Sequence, residues 1–309
     1  MRSDQINRRR FFIQSASWGA GALMAGTAMA AENKEKKDRP PRKFKISSPT
    51  AGKLGWRLGC QLYTFRDRSF YEALDVIVKL GIRNVEPCFF LPLSKENPDL
   101  KTSEALSPAM RRQLKARLDD AGVRMVHYYA PIEGDTKTFR KIFDFAKEMG
   151  VKTLVAEPPA EVFDDLEALC DEYKINLAVH NHPKSPDYKY WKPENVMKLF
   201  EGRSKRIGAC VDTGHWVRSG LDPVECLRKC KGRIICTHLK DVIEWGKPEA
   251  RDVPLGTGKA NYTAVLNELR AQKFRGVMTV EYEHLSDQLV EDVAQCVKFV
   301  EDFAKSQKA

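Results

Sequence analysis

Most histidines and several carboxylates of this 309-residue chain stand where short apolar runs end. In "IGACVDTGHW" the apolar run ends in Asp212, and His215 follows three positions later. The histidines are His127, His180, His182, His215, His238 and His284. The carboxylates at or just after the ends of these apolar runs are Glu86, Glu157, Asp212, Asp241, Glu281 and Glu283. If the apolar runs are parallel strands, their carboxyl ends meet at one edge and bring these groups together.

Such a group of carboxylates and imidazoles needs a positive counter-charge, because desolvated carboxylates repel one another. A divalent cation supplies it, and mixed oxygen and nitrogen ligands suit Mn²⁺, Zn²⁺, Co²⁺ or Fe²⁺ better than Ca²⁺. The lack of inward cysteines at this level argues against a structural zinc. Three alternatives stay open: Asp212 as a helix cap, His238 as a core histidine, and Glu281 as an ion-pair partner.

The elements that position these groups alternate from about residue 55. Eight strand-like runs, among them "RLGCQLYTF" and "GVMTVEYE", are separated by amphipathic segments. In residues 136–151, apolar side chains recur at helical spacing, namely Phe139, Ile142, Phe143, Ala146 and Met149. This alternation predicts an α/β fold, a single-domain (β/α)8 TIM barrel over residues 55–309. A doubly wound sheet is the alternative, and the chain lacks its GxGxxG and P-loop signatures.

The amino-terminal segments are expected to lie outside that domain. Residues 1–30 contain "NRRRFFIQS", a weakly apolar stretch and "AMA", which together are typical of a twin-arginine signal peptide. We therefore expect export to a periplasmic or extracytoplasmic location without a stable membrane anchor, since the apolar stretch is too short to span a bilayer. A disordered basic terminus is the alternative. Residues 31–54 are predicted to form a charged flexible linker.

The charge balance argues against a nucleic-acid-binding protein, and the cysteine spacing argues against a disulfide scaffold or a zinc ribbon. The formal charge is +10, but the first 49 residues hold eleven Lys and Arg against four acidic residues, so about +3 is left for the rest. A nucleic-acid partner is not expected on that balance, whereas a homo-oligomer stays open. The eight cysteines lack the spacing of a disulfide scaffold or a zinc ribbon, and we expect them to be small core residues.

The motifs "CVDTGHW", "THLKDV", "DVPLGTG" and "VEYE" carry a family resemblance. In their order and spacing the chain resembles the sugar phosphate isomerase/epimerase family of xylose isomerase-like TIM barrels, over roughly residues 55–305. That family includes ketose 3-epimerases, inosose dehydratases and hydroxypyruvate isomerases, with apurinic endonucleases sharing its fold. The resemblance implies one divalent metal ion held by Asp212, His238 and Glu281. It also implies that His215 and Lys240 contact a small carbohydrate substrate.

One position departs from the family pattern. The epimerases place a glutamate on the fifth strand, where this chain has His180 in "LAVHNHP". We predict that Glu157 supplies the missing carboxylate, so that Glu157, Asp212, His238 and Glu281 bind the metal. His180 would then be a base or a fifth ligand. This version of the motifs is also similar to the branch containing lyases that cleave 3-keto-glycosides.

The expected reaction is removal of a proton beside the carbonyl of a keto-sugar through an enediolate, followed by isomerisation, epimerisation or β-elimination. His180 or Glu281 is the candidate base, and His182 or His215 would protonate a leaving oxygen. Further substrate contacts are predicted for His127, Glu86, Trp216, Asp252 and Glu283, with core packing as the alternative for Trp216. The loop "PLGTGKANY" is interpreted either as a phosphate site or as a turn. A catalytically inactive sugar-binding barrel is the alternative of another class.

Overall fold

The computed structural model describes residues 48–307 except Gly134. The predicted signal peptide and residues 31–47 of the predicted linker lie outside this part of the chain. Residues 48–54, also assigned to the linker, belong to the barrel instead. The backbone N–H of Thr50 donates to Glu301 Oε2 at 3.1 Å, and Ala51 is fully buried at the start of a 3-10 helix, Ala51–Leu54. These residues close the amino-terminal edge of the domain against its last helix.

The wall of the barrel is a parallel sheet. Its strands are β1 Trp56–Gln61, β2 Asn84–Glu86, β3 Arg124–Met125, β4 His127–Tyr129, β5 Thr153–Ala156, β6 Asn176–His180, β7 Ile207–Asp212, β8 Ile234–Leu239 and β11 Gly276–Val280. They pair in the order β3-β2-β1-β11-β8-β7-β6-β5-β4. Only Val126 separates β3 from β4, so the two ends of this order are halves of one strand and the pairing runs around the barrel. The predicted (β/α)8 fold is confirmed.

Helices cover the outside of this wall. They are α1 Phe70–Lys79, α2 Pro108–Ala121, α3 Thr136–Met149, α4 Phe163–Tyr173, α5 Pro193–Leu199, α6 Thr213–Arg218, α7 Pro223–Lys229, α8 Tyr262–Ala271 and α9 Leu289–Ser306. Short 3-10 helices span Leu62–Phe65 and Ala160–Val162, and an antiparallel pair, β9 Asp241–Val242 and β10 Asp252–Val253, follows β8.

Helix α3 illustrates why these segments are helical. The side chain of Asp135 accepts a hydrogen bond from the backbone N–H of Lys137 at 3.1 Å, which caps the first turn. Gly150 ends the helix at a φ of 80°, a left-handed conformation that glycine adopts without strain. The five apolar residues named from the sequence are all buried. The helix therefore follows its predicted pattern at both ends and on its inner face.

Small side chains fill the barrel interior below the polar groups. Val155, Ala178, Cys210 and Cys236 form a separate buried cluster. At Gly208 a Cβ would lie 2.2 Å from the carbonyl oxygen of Arg233, so only glycine fits there. All eight cysteines lie in the described part of the chain and are buried, as expected for small core residues. Among the described helices, none combines the length and apolar character needed to cross a bilayer.

Candidate active site

Two carboxylate–histidine pairs form the lower layer of the site. Glu86 ends β2 and is fully buried. Its Oε1 lies 2.9 Å from Nε2 of His238, and its Oε2 lies 3.2 Å from Nδ1 of His127. Burial alone raises the pKa of Glu86, but the imidazoles of His238 and His127 bring it down to about 2. Glu86 is therefore an ionised carboxylate that holds His238 by one ring nitrogen.

Glu157 and His180 form the second pair. Oε1 of Glu157 lies 2.9 Å from Nδ1 of His180 and 3.0 Å from Nε2 of His182. The hydroxyl of Tyr129 donates to the same carboxylate at 2.8 Å. Burial raises the pKa of Glu157, yet His182 and His180 outweigh that effect and hold it well below its usual range. Tyr129 was not identified from the sequence as a site residue. Its position two residues after His127 on β4 places both side chains on the same face of the strand, and this was the available signal.

Four buried atoms meet above these pairs. They are His180 Nε2, Asp212 Oδ2, His238 Nδ1 and Glu281 Oε2, and within the described part of the chain none of them makes a hydrogen bond of regular geometry, although the Lys240 ammonium lies within 3.1 Å of two of them. His180 Nε2 lies 3.6 Å from Asp212 Oδ2, and His238 Nδ1 lies 3.0 Å from Glu281 Oε2. Ligand atoms of His180, Asp212, His215 and Glu281 also fall within 4.8 Å of one another. We call these four atoms, His180 Nε2, Asp212 Oδ2, His238 Nδ1 and Glu281 Oε2, the four-atom centre.

This centre fits a divalent metal by its chemistry. Two imidazole nitrogens and two carboxylate oxygens form the mixed donor set that Zn²⁺, Mn²⁺, Co²⁺ and Fe²⁺ accept. Buried polar atoms that lack partners are costly unless a bound group satisfies them. The carboxylates behind His238 and His180 bind the opposite ring nitrogens, as outer partners of metal-bound histidines do. Glu157 forms a second group with His180 and His182, whose ligand atoms also lie within 4.8 Å of one another and could hold a metal.

Asp212 takes part in two different interactions. Its Oδ1 accepts a hydrogen bond from the backbone N–H of His215 at 2.8 Å, which caps helix α6. Its Oδ2 belongs to the four-atom centre. The two readings of this residue from the sequence are therefore compatible, because each carboxylate oxygen serves one of them. The cap also turns the chain so that the His215 ring returns to the site.

Lys240 is the positive group nearest to the centre. Its Nζ lies 3.0 Å from Glu281 Oε2, 3.1 Å from Asp212 Oδ2 and 3.3 Å from Glu283 Oε1, and the side chain is fully buried. Burial lowers the pKa of Lys240, but Asp212 and the two glutamates raise it above its usual value. Lys240 is therefore a charged ammonium that contacts the candidate metal ligands as well as the predicted substrate region.

Arg218 organises the opposite wall of the site. One guanidinium nitrogen lies 3.2 Å from Nδ1 of His215 and bonds to Glu283, and another lies 2.6 Å from Asp252 Oδ1. The pKa of His215 falls well below its usual value through burial and the charges of Lys240 and Arg218. His215 is thus a neutral imidazole. Arg218 was missed by the sequence analysis, and its spacing of three residues from His215 on α6 was the available signal.

Two of the predicted substrate residues are buried among protein partners. Asp252 is fully buried beneath Glu283 and binds Arg218, so it positions other side chains. Trp216 lies in the main hydrophobic core with 2% of its surface exposed, which leaves no ring face for a sugar. The remaining predicted substrate residues, His127, His215, Lys240, Glu86 and Glu283, do contact the residues described above.

The loop "PLGTGKANY" is organised around a carboxylate of the protein. Asp241 accepts hydrogen bonds from the backbone N–H groups of Val242, Gly256, Gly258 and Ala260 at 2.9 to 3.0 Å. A Cβ at Gly258 would lie 2.4 Å from Asp241 Oδ1. The backbone amides that would grip a phosphate are therefore used to hold Asp241. Of the two interpretations from the sequence, the structure favours the turn.

A family model described as a xylose isomerase-like TIM barrel matches residues 74–300. The chain belongs to this family. A rhizopine catabolism protein, MocC of Rhizobium meliloti, is 31% identical over 134 residues, which cover 38% of the chain and 40% of that protein. An inosose dehydratase of Clostridium tetani is 28% identical over 196 residues, which cover 50% of the chain and 64% of the dehydratase. In both cases the chain spans less than two thirds of the relative's length.

Solved structures agree with the family assignment. An uncharacterized protein from Parabacteroides distasonis ATCC 8503 is 31% identical, with a TM-score of 0.65 over 80% of this chain and 99% of that one. The IOLI protein, whose structure contains a zinc atom, has a TM-score of 0.63 at 17% identity over 82% of this chain and 99% of that one. The latter likeness concerns the fold alone.

Proposed function

We propose that this chain is a divalent-metal-dependent enzyme that removes a proton beside the carbonyl of a keto-sugar or a related polyol ketone. The observation that carries the proposal is the four-atom centre, because two imidazole nitrogens and two carboxylate oxygens that lie together in a buried site form a donor set for a divalent cation. His180, Asp212, His238 and Glu281 would hold the metal. When bound, the metal supplies Lewis-acid polarisation of the substrate carbonyl.

The chain's own residues divide into groups of opposite character. His182 lies beside the ionised Glu157 at 3.0 Å, and about a fifth of its side chain is exposed at the mouth. With Glu157 at one ring nitrogen and part of the ring exposed, His182 is placed where it can take a proton from a bound substrate. His215 lies between two cations, with Arg218 3.2 Å from Nδ1 and Lys240 3.3 Å from Nε2, so its neutral ring positions substrate and is not a proton donor.

This division favours elimination among the three reactions. An epimerase needs two proton-transfer groups of similar proton affinity on opposite faces of the substrate, whereas this site offers one partly exposed imidazole beside a carboxylate, His182 with Glu157. We therefore infer that His182 takes the α-proton and then donates it to the hydroxyl or glycosidic oxygen that leaves, which restores the neutral ring. Likeness to inosose dehydratases supports dehydration, and cleavage of 3-keto-glycosides is the second candidate.

The test combines metal analysis with proton exchange. Elemental mass spectrometry of the purified full chain should find about one metal ion, lost in Asp212→Asn, which keeps an oxygen for the cap of α6. Inososes, keto-sugars and 3-keto-glycosides are then incubated in D₂O, where His182→Gln should abolish α-deuterium exchange. Exchange that persists in His182→Gln would refute the role of His182. A chain that binds substrate analogues but no metal would be an inactive sugar-binding barrel.

We also propose that residues 1–30 direct export by the twin-arginine route. The support is the sequence pattern alone. Sequencing the amino terminus of the protein recovered from a periplasmic extract tests this directly, and an intact Met1 in a cytoplasmic fraction would contradict it.

A further inference from the structure

Lys240 shares two carboxylate oxygens with the four-atom centre. Its ammonium lies 3.0 Å from Glu281 Oε2 and 3.1 Å from Asp212 Oδ2, which are two of the four atoms. A carboxylate oxygen bound to a divalent ion lies about 2.1 Å from it. A divalent cation bound to these two oxygens would lie only about 4 Å from the ammonium, and two positive charges that close repel each other.

The position of Lys240 is built into the fold. The hydroxyl of Thr213 donates to the carbonyl oxygen of Lys240 at 2.9 Å and lies 3.2 Å from its backbone nitrogen. Tyr262 lies 2.7 Å from the same hydroxyl. A Cβ at Gly214 would lie 2.5 Å from Cγ of Lys240, so the aliphatic stem passes through space that only glycine leaves open. Backbone and stem are thereby held, and only the end of the side chain is free to turn.

A second anion lies within reach when the ammonium moves. Nζ of Lys240 is 3.3 Å from Oε1 of Glu283, whose other oxygen binds Arg218. About a fifth of the Glu283 side chain is exposed, whereas Asp212 is fully buried. Turning from Asp212 and Glu281 to Glu283 therefore keeps Lys240 paired. It also brings the ammonium from the bottom of the site towards its mouth, where a substrate would bind.

We propose that Lys240 is an internal counter-ion that competes with the metal, so that metal entry drives its ammonium onto Glu283. In the metal-free protein Lys240 neutralises Asp212 and Glu281. In the metal-bound protein it becomes a substrate contact beside Glu283. This inference rests on the proposed function, because it takes the four-atom centre as the metal site.

The test measures metal affinity rather than activity. Dissociation constants for Zn²⁺ and Mn²⁺ are determined by competition with a chromophoric chelator for the full chain, for Lys240→Met and for the control Lys184→Met. Lys184 is exposed, and its ammonium lies over the ring of Trp191. Lys240→Met should bind metal about tenfold more tightly than wild type, within the usual range of coupling between sites. Its melting temperature without metal should also be lower than that of the wild type. The control should change neither the metal affinity nor the melting temperature.

A second variant keeps the test decisive if Lys240→Met does not fold. Gly214→Ala retains the charge but crowds the lysine stem, so it should also tighten metal binding. Unchanged or weaker binding in both variants beside a metal-binding wild type would overturn the competition and leave the proposed function intact. Metal binding by Lys240→Met but not by the wild-type chain would support the competition. No binding by any variant would overturn both.

Discussion

Replacing Glu157 by glutamine separates two assignments of this residue. The sequence predicted Glu157 as a metal ligand, whereas the structure places its Oε1 at 2.9 Å from Nδ1 of His180, on the side away from the four-atom centre. Glutamine keeps an oxygen that accepts the hydrogen bond from Nδ1 but removes the negative charge. If Glu157 only orients His180, the metal site should weaken without disappearing.

The size of the effect follows from this outer position. Loss of a carboxylate behind a metal-bound histidine lowers metal affinity by about 10- to 100-fold. That range corresponds to about 1.4–2.8 kcal/mol of binding free energy. Loss of a direct ligand, as in His180→Gln, should instead abolish stoichiometric binding. The two roles therefore differ by an amount that a single titration resolves.

Chelator competition gives the dissociation constants, and thermal unfolding without metal shows that each variant is folded. Glu161→Gln is the matched control, since Glu161 is an exposed glutamate four residues away in the 3-10 helix Ala160–Val162. Its affinity should equal that of wild type. If Glu157→Gln loses metal as completely as His180→Gln does, Glu157 is a ligand and the reasoning from the hydrogen bond is wrong.

Three further changes test other parts of the structure. Glu86→Gln should reduce the free energy of unfolding in urea by about 1.5–3 kcal/mol, the range for a buried charged hydrogen bond such as that to His238. Asp241→Ala should lower the free energy of unfolding by about 3 kcal/mol or more, because it leaves four backbone N–H groups unpaired. Faster amide hydrogen exchange across residues 256–260 would confirm this, and unchanged protection would contradict it. Ser69→Ala should cost about 1 kcal/mol near pH 7. The backbone N–H and the hydroxyl of Ser69 both donate to Glu72 and lower its pKa below the usual 4.5. Alanine keeps the N–H and removes the hydroxyl, so the part of the cost that comes from the hydroxyl bond is present above pH 4.5 and is lost as pH falls through the folded pKa. An equal cost at all pH values would contradict that bond.

The sequence by itself determined the architecture and the level of the site. Strand and helix patterns are local, because each depends on the spacing of apolar residues over one element, as Phe139 and its neighbours in α3 show. The parallel order of strands then places every strand end at one mouth, which is why residues as distant as Glu86 and Glu281 were assigned to one site. Both the barrel and the family were predictable on these grounds.

Only the tertiary structure decided which atoms meet at that mouth. Glu86 and His238 are 152 residues apart, and their 2.9 Å contact depends on strand stagger across the barrel. The same stagger turns Glu157 towards Nδ1 of His180 and leaves Nε2 for the four-atom centre. The position of Lys240 depends on the space beside Gly214. The position of Arg218 depends on the course of helix α6, which brings its guanidinium to Asp252. Residue type and spacing carry no information about these distances, because they arise from packing between elements that are remote in the chain.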